Sequence, residues 1–134
     1  MTIKNGRKTI TVEIAYIAGF FDGEGCVRIK KANQGGNSYY IIAHLTNTNK
    51  NILEKVKDLF GGSIRIQEKG RNKKVYNWCI TSAEAADFLR TLLPFLIEKQ
   101  TQAELALYFH HGKENFTKEK KAHHYREMMI LKKL

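Results

Sequence analysis

The 134-residue sequence has one proline, two cysteines, and 13 acidic residues against 23 lysines and arginines. Each scarcity excludes something. Cys26 and Cys79 are too few and too far apart for a disulfide framework or a zinc site, so the expectation is a reducing, intracellular setting with incidental thiols. No apolar run approaches the ~20 residues that span a bilayer. Met1 to Lys8 carries charge without the apolar core of a secretion signal. The shortage of acids leaves a formal net charge of +10 and a pI of about 9.7, which favours a polyanionic partner. Nucleic acid leads, with a solvated basic surface or an anionic membrane as alternatives. What the chain does have is the length of one domain and 43% hydrophobic residues. That is enough to bury roughly two-thirds of the unfolded surface, alone or as a small oligomer.

Turn residues divide the chain. Ile14, Ile17, Ala18 and Phe21 recur at helical spacing before Gly25, which predicts a helix from Glu13 to about Glu24. Val27 to Lys31 and Tyr39 to about Asn47 read as a hairpin around the Gly35-Gly36-Asn37-Ser38 turn. Asn51 and Glu54 suggest a capping box for a short helix through Leu53, Val56 and Phe60 that Gly61-Gly62 ends. Ser63 to Lys69 and Lys74 to Thr81 form a second hairpin. Ser82 then caps a helix over Ala83 to Leu93, Pro94 breaks it, and Phe95 to His111 continues as another helix before Gly112. A last, more exposed helix runs from Thr117. The expected class is α+β: antiparallel hairpins with helices on one face and the other sheet face free.

Side chains in a strand alternate with period two, so the free face can be read directly. Val27 and Ile29 face the helices, leaving Arg28, Lys30, Ala32 and Gln34 outward, while Tyr40, Ile42, His44 and Thr46 line the same open side. In the second hairpin Ile64, Ile66, Tyr76, Trp78 and Ile80 point inward, and Arg65, Gln67, Lys69, Val75, Asn77 and Cys79 outward. Arg71 and Lys73 lie at its turn. Such side chains read base edges or hold phosphates, and a β-ribbon fits the major groove. An ordinary solvated face is also polar and basic; the length of the stripe and its few acids favour DNA.

The first helix has two oddities. Ala15, Gly19 and Gly23 sit four apart on one ridge, although each mid-helix glycine costs about 1 kcal/mol relative to alanine. Close approach of another backbone explains them, either from a helix of the same chain or from another copy. Asp22 and Glu24, meanwhile, lie near the negative end of the macrodipole, at a cost of a few tenths to about 1 kcal/mol each. Something must compensate for them.

The stretch Ile17-Ala18-Gly19-Phe20-Phe21-Asp22-Gly23-Glu24-Gly25 resembles the nonapeptide that names the LAGLIDADG homing endonucleases and related intron maturases. The resemblance runs from about Glu13 to Tyr108 and includes Leu93-Pro94-Phe95-Leu96 ahead of Lys99-Gln100. It departs at Ile17, where the family name has Leu, and at Glu24, where it has Asp. The resemblance implies an αββαββα-type fold with a DNA-binding saddle. It also implies a homodimer whose motif helices cross at Ala15, Gly19, Phe20 and Gly23, since one motif makes half a site.

By the same resemblance Glu24, with the backbone carbonyl of Gly23, would bind a divalent metal, Mg²⁺, at the scissile phosphate. Asp22 would serve local structure. Asn47, or Asn49 if the register is shifted, would orient solvent, and Lys99 would stabilise charge on phosphate. The implied activity is hydrolysis of both strands of a long pseudo-palindromic duplex site, leaving short 3′ overhangs. A non-catalytic binder on the same scaffold, either a maturase of intron RNA or a DNA-binding regulator, is the alternative. His110, His111, His123 and His124 lack a cysteine pair and read as solvated or phosphate-contacting rather than zinc ligands.

Overall fold

Alternating apolar residues build the centre of the fold. Strands β1 (Gly25–Lys31), β2 (Tyr39–Asn47), β3 (Ser63–Glu68) and β4 (Lys74–Thr81) pair antiparallel in the order β1-β2-β4-β3. This computed structural model describes residues 3–133 apart from 33–35, 37, 69 and 71–72, with side chains described from Thr11 onward. Helices α1 (Ile3–Glu24), α2 (Lys50–Phe60), α3 (Ser82–Leu92), α4 (Gln100–Gly112) and α5 (Lys118–Leu131) all pack against strands. Val27, Ile29, Ile41, Ala43, Leu45, Trp78 and Ile80 join Ile17, Phe21, Leu53, Phe88 and Phe109 in one buried core. Helices therefore cover one face of the sheet, and the α+β class expected from the sequence is the one observed.

Phe88 of α3 is the centre of that core. Its ring meets Phe21 of α1 at 5.1 Å, Phe60 of α2 at 4.9 Å and Trp78 of β4 at 5.0 Å, centroid to centroid. Two of the three contacts are edge-on, the arrangement ring quadrupoles prefer. Three helices and the sheet are thus tied through one side chain. The Trp78 indole N–H, buried with the ring, donates to the Gly61 carbonyl at 2.8 Å, so the turn after α2 is bonded to the sheet. Gly61 and Gly62 both have φ near +90°, a region that disfavours side chains.

Several boundaries differ from expectation, each for a physical reason. Helix α1 starts at Ile3 rather than Glu13, since no proline interrupts that span and Gly6 alone weakens a helix without ending it. Helix α2 is capped by Asn49, whose side chain accepts from the Asn51 N–H, so the Asn51 box is displaced by two residues. At α3 the cap position falls on Thr81 without a side-chain bond, and Ser82 adopts φ 53° as the chain turns off the sheet. Ile66, expected inward, is 59% exposed because β3 is the edge strand.

The largest difference follows Pro94. Instead of a helix from Phe95, a 3₁₀ turn spans Leu93–Phe95, Leu96 is extended, and α4 begins only at Gln100. Asp22 causes the delay. Its carboxylate accepts from the backbone N–H groups of Ile97 at 3.0 Å, Glu98 at 3.0 Å and Lys99 at 2.8 Å. These amides precede α4 with no intrahelical partner of their own, so a side chain from α1 caps another helix. The positive end of α4 also compensates for the unfavourable end of α1.

Two stability measurements follow. A Cβ on Gly62 would lie 2.5 Å from the Cys79 carbonyl oxygen and 2.7 Å from Trp78 Nε1. Gly62→Ala is expected to lower the unfolding free energy by about 2 kcal/mol or more in urea titration. Burial alone would raise the Asp22 pKa, but the Glu98, Lys99 and Ile97 amides and the Lys99 charge together hold it below the ordinary 3.8. Asp22 thus stabilises the fold above the unfolded-state pKa, and this contribution fades as pH falls through the depressed folded value. Asp22→Asn should cost about 1 to 3 kcal/mol at neutral pH, and the gap to wild type should shrink in urea titrations run on acidification below 3.8.

Candidate active site and nucleic-acid interface

Where α1 ends, the two motif acids part company. Asp22 is half-buried and fully engaged, whereas Glu24 is exposed with no hydrogen bond or ion pair among the described residues. The last four carbonyls of a helix lack helical partners. Of these, the Asp22 carbonyl accepts from Lys99 Nζ at 2.5 Å, leaving that of Gly23 beside the free Glu24 carboxylate. Two hard oxygen donors next to open space suit Mg²⁺, which takes few protein ligands and keeps its remaining positions for water and phosphate. The donor set is of the kind a hard divalent cation takes.

Lys99 comes to this place through Asp22. Both its amide and its ammonium bond that residue, so the ammonium, with two hydrogens still free, is held at the end of α1. Asn47 closes β2 two residues beyond Leu45, the partner of Gly25, which puts it at the same end of the sheet as Glu24. Its Oδ1 accepts from the Asn49 N–H at 2.7 Å, and its Nδ2 amide hydrogens have no partner among the described residues. Asn49 spends its Oδ1 in the same way, accepting from the Asn51 N–H at 2.9 Å as the α2 cap, so hydrogen bonding does not distinguish the two residues.

The small-residue ridge is open. Ala15, Gly19 and Gly23 are exposed, and a Cβ built on either glycine meets no atom within 4 Å. An intramolecular helix partner is thereby excluded among the described residues. Val12 and Tyr16, 64% and 65% exposed, flank the ridge, while Phe20 is half-buried against the core.

On the uncovered face the strands align the expected side chains in cross-strand rows. Lys30 opposes Tyr40, and Arg28 opposes Ile42. Cys26, His44, Cys79 and Ser63 make the next row, then Thr46, Asn77 and Arg65, with Gln67 beyond. Lys73 is exposed just before β4; Gln34, Lys69 and Arg71 lie outside the described residues. Burial first, then the charges of Arg28, Lys132 and Lys30, push the His44 pKa below 6.5, so the imidazole is neutral at pH 7.

Lys132 was given no role by sequence reasoning. Gln102 Nε2 donates to the Leu131 carbonyl at 3.2 Å, tying the end of α5 to the start of α4 and setting Lys132 on the cleft that Lys99 also lines. Nothing local in the sequence signals that docking. The histidines divide: His111 contacts Arg90 at 3.0 Å, whereas His123, His124 and Glu127 bring ligand atoms within 4.8 Å of one another on α5. There the His124 Nδ1 pairs with Glu127 Oε1 at 2.9 Å, and the ring packs against Tyr108 and Phe116. Among the described residues no helix is long and apolar enough to cross a membrane.

Comparison with solved structures places this architecture. The homing endonuclease I-CvuI, in complex with the I-CreI target, superposes with a TM-score of 0.74 at 20% identity over 90% of this chain and 82% of that one. The archaeal intron-encoded homing endonuclease I-Vdi141I, complexed with DNA, gives 0.71 at 20% identity over 90% and 84%. I-SmaMI, bound to uncleaved DNA with calcium, gives 0.56 at 27% identity over 87% of this chain and 42% of that one. No curated protein matches the sequence. A LAGLIDADG-like domain matches residues 11–93, which is more than half of the chain and includes the motif helix, both hairpins and α3. On that match, and with the fold those endonucleases share, the protein belongs to the LAGLIDADG family.

Proposed function

We propose that the protein is a site-specific, metal-dependent DNA endonuclease that works as a homodimer. It cuts both strands of a long pseudo-palindromic duplex and leaves short 3′ overhangs. The observation that carries this reading is the free Glu24 carboxylate at the tip of an unpartnered small-residue ridge. A binding protein has no use for an unneutralised acid beside phosphate. Nearby I-CvuI is described with its target in the presence of calcium, which agrees with a divalent cation at such a site.

The residues divide the work. Glu24 and the Gly23 carbonyl hold Mg²⁺, which when bound supplies Lewis-acid polarisation of the phosphodiester. Lys99, anchored by Asp22, presents its remaining N–H groups to the phosphate as negative charge develops there. Asn47 orients the attacking water through its free amide hydrogens. Two chains meet along Ala15, Gly19 and Gly23 and bring two such sites together, one for each strand. Arg28, Lys30, Tyr40, His44, Lys73 and the Arg65 row track the flanking major grooves.

Glu24→Gln is expected to retain duplex binding and to lose cleavage with Mg²⁺; cleavage at the wild-type rate would remove Glu24 from the chemistry. A duplex that wild-type protein binds yet never cuts would favour the non-catalytic binder. Gly19→Leu should fold as well as wild type, since space around that Cβ is open and a glycine leaves the helix. The same variant should sediment as a monomer and fail to make double-strand breaks. A wild-type monomer that makes both cuts would overturn the half-site arrangement.

A further inference from the structure

One hydrogen-bonded chain crosses three strands on the open sheet face. Thr46 on β2 donates from Oγ1 to Asn77 Oδ1 on β4 at 2.5 Å, and Asn77 donates from Nδ2 to Gln67 Oε1 on β3 at 2.9 Å. Register makes this possible, because Thr46 opposes Asn77, Asn77 opposes Arg65, and Gln67 is the next residue of β3 on that face.

The chain has a direction. Thr46 donates, Asn77 accepts from the β2 side and donates towards β3, and Gln67 accepts, so unspent donors collect at the β3 end. Among the described residues, Thr46 has given up its one hydrogen, Asn77 keeps one N–H, and Gln67 keeps both hydrogens of its amide. Arg65 adds five N–H groups that have no partner among the described residues. No carboxylate dilutes them, since Glu68 opposes Lys74 and alternates to the other side. A free exposed amide turns over and offers either edge. Asn77 is held at both its oxygen and its nitrogen, and Gln67 is held through its oxygen, so although each carbonyl keeps a second lone pair, donors outnumber acceptors on this row.

Unattached asparagine and glutamine pair with adenine, because they offer it one donor and one acceptor. Here the internal bonds draw on the acceptor edges. Among base edges in the major groove, guanine alone sets two acceptors, N7 and O6, side by side, whereas cytosine presents an amino donor. We infer that Arg65, Gln67 and Asn77 form a guanine subsite on one strand of each half-site, and that Thr46 is a positioning residue that sets its polarity. The inference rests on the proposed reading of the protein as a DNA binder and goes beyond it by naming a base.

The test is selection of a randomised duplex library by the full chain, followed by sequencing of the bound fraction. Wild-type protein is expected to enrich guanine at one or two neighbouring positions in each half-site. Gln67→Glu keeps an oxygen for Asn77 and replaces the free amide nitrogen with a second acceptor, so the preference there should move from guanine to cytosine. Thr46→Val preserves shape but removes the donated hydrogen. It should reduce the guanine preference at that position roughly fivefold or more, and Thr46→Ser should restore it. If wild-type protein enriches a site that neither Gln67→Glu nor Thr46→Val alters, the subsite is refuted while DNA binding stands. If wild-type protein enriches nothing, both readings fall.

Discussion

The candidate site depends on one carboxylate. Asp22 collects the amides of Ile97, Glu98 and Lys99 and returns its own carbonyl to the Lys99 ammonium, so the end of α1 and the start of α4 become one unit. Each of these bonds is charge-assisted on one side, the stronger class of protein hydrogen bond. The arrangement resolves the electrostatic oddity of the motif in two ways. Asp22 is compensated within the chain, whereas Glu24 has no partner among the described residues.

A second constraint is the two-sidedness of the sheet. Helices cover one face through a core centred on Phe88, to which Val27 and Ile29 of β1 and Tyr39, Ile41, Ala43 and Leu45 of β2 contribute. The period of two then commits the remaining side chains to the other face, whatever their chemistry. A register slip by one residue would bury Arg28 and Lys30 and expose Val27 and Ile29, so core packing itself holds the basic stripe in place. The core and the basic stripe are two faces of the same strands.

Legibility followed the range of the interactions. The hairpins and their facing were readable because apolar alternation is a local signal, and Val27, Ile29, Trp78 and Ile80 are buried as that signal requires. Capping was misplaced at Asn51 and Ser82, since neighbouring polar residues compete for the same amides and local backbone geometry decides among them. The start of α4 was misread for a different reason. Its cap, Asp22, stands more than seventy residues away in the chain, so no window around Pro94 contains it. Lys132 was overlooked likewise, because its position comes from α5 docking on α4.

The sequence by itself determined the class of fold, the polar face and the acidic motif, all of which follow from residue periodicity and composition. Tertiary structure decided which acid is spent and which is free, that the glycine ridge has no partner within the described chain, and which way the Thr46, Asn77 and Gln67 amides and hydroxyl point. The physical reason is that burial patterns are written in near neighbours along the chain. Hydrogen-bond allegiance is settled among groups that only folding brings within 3 Å of one another.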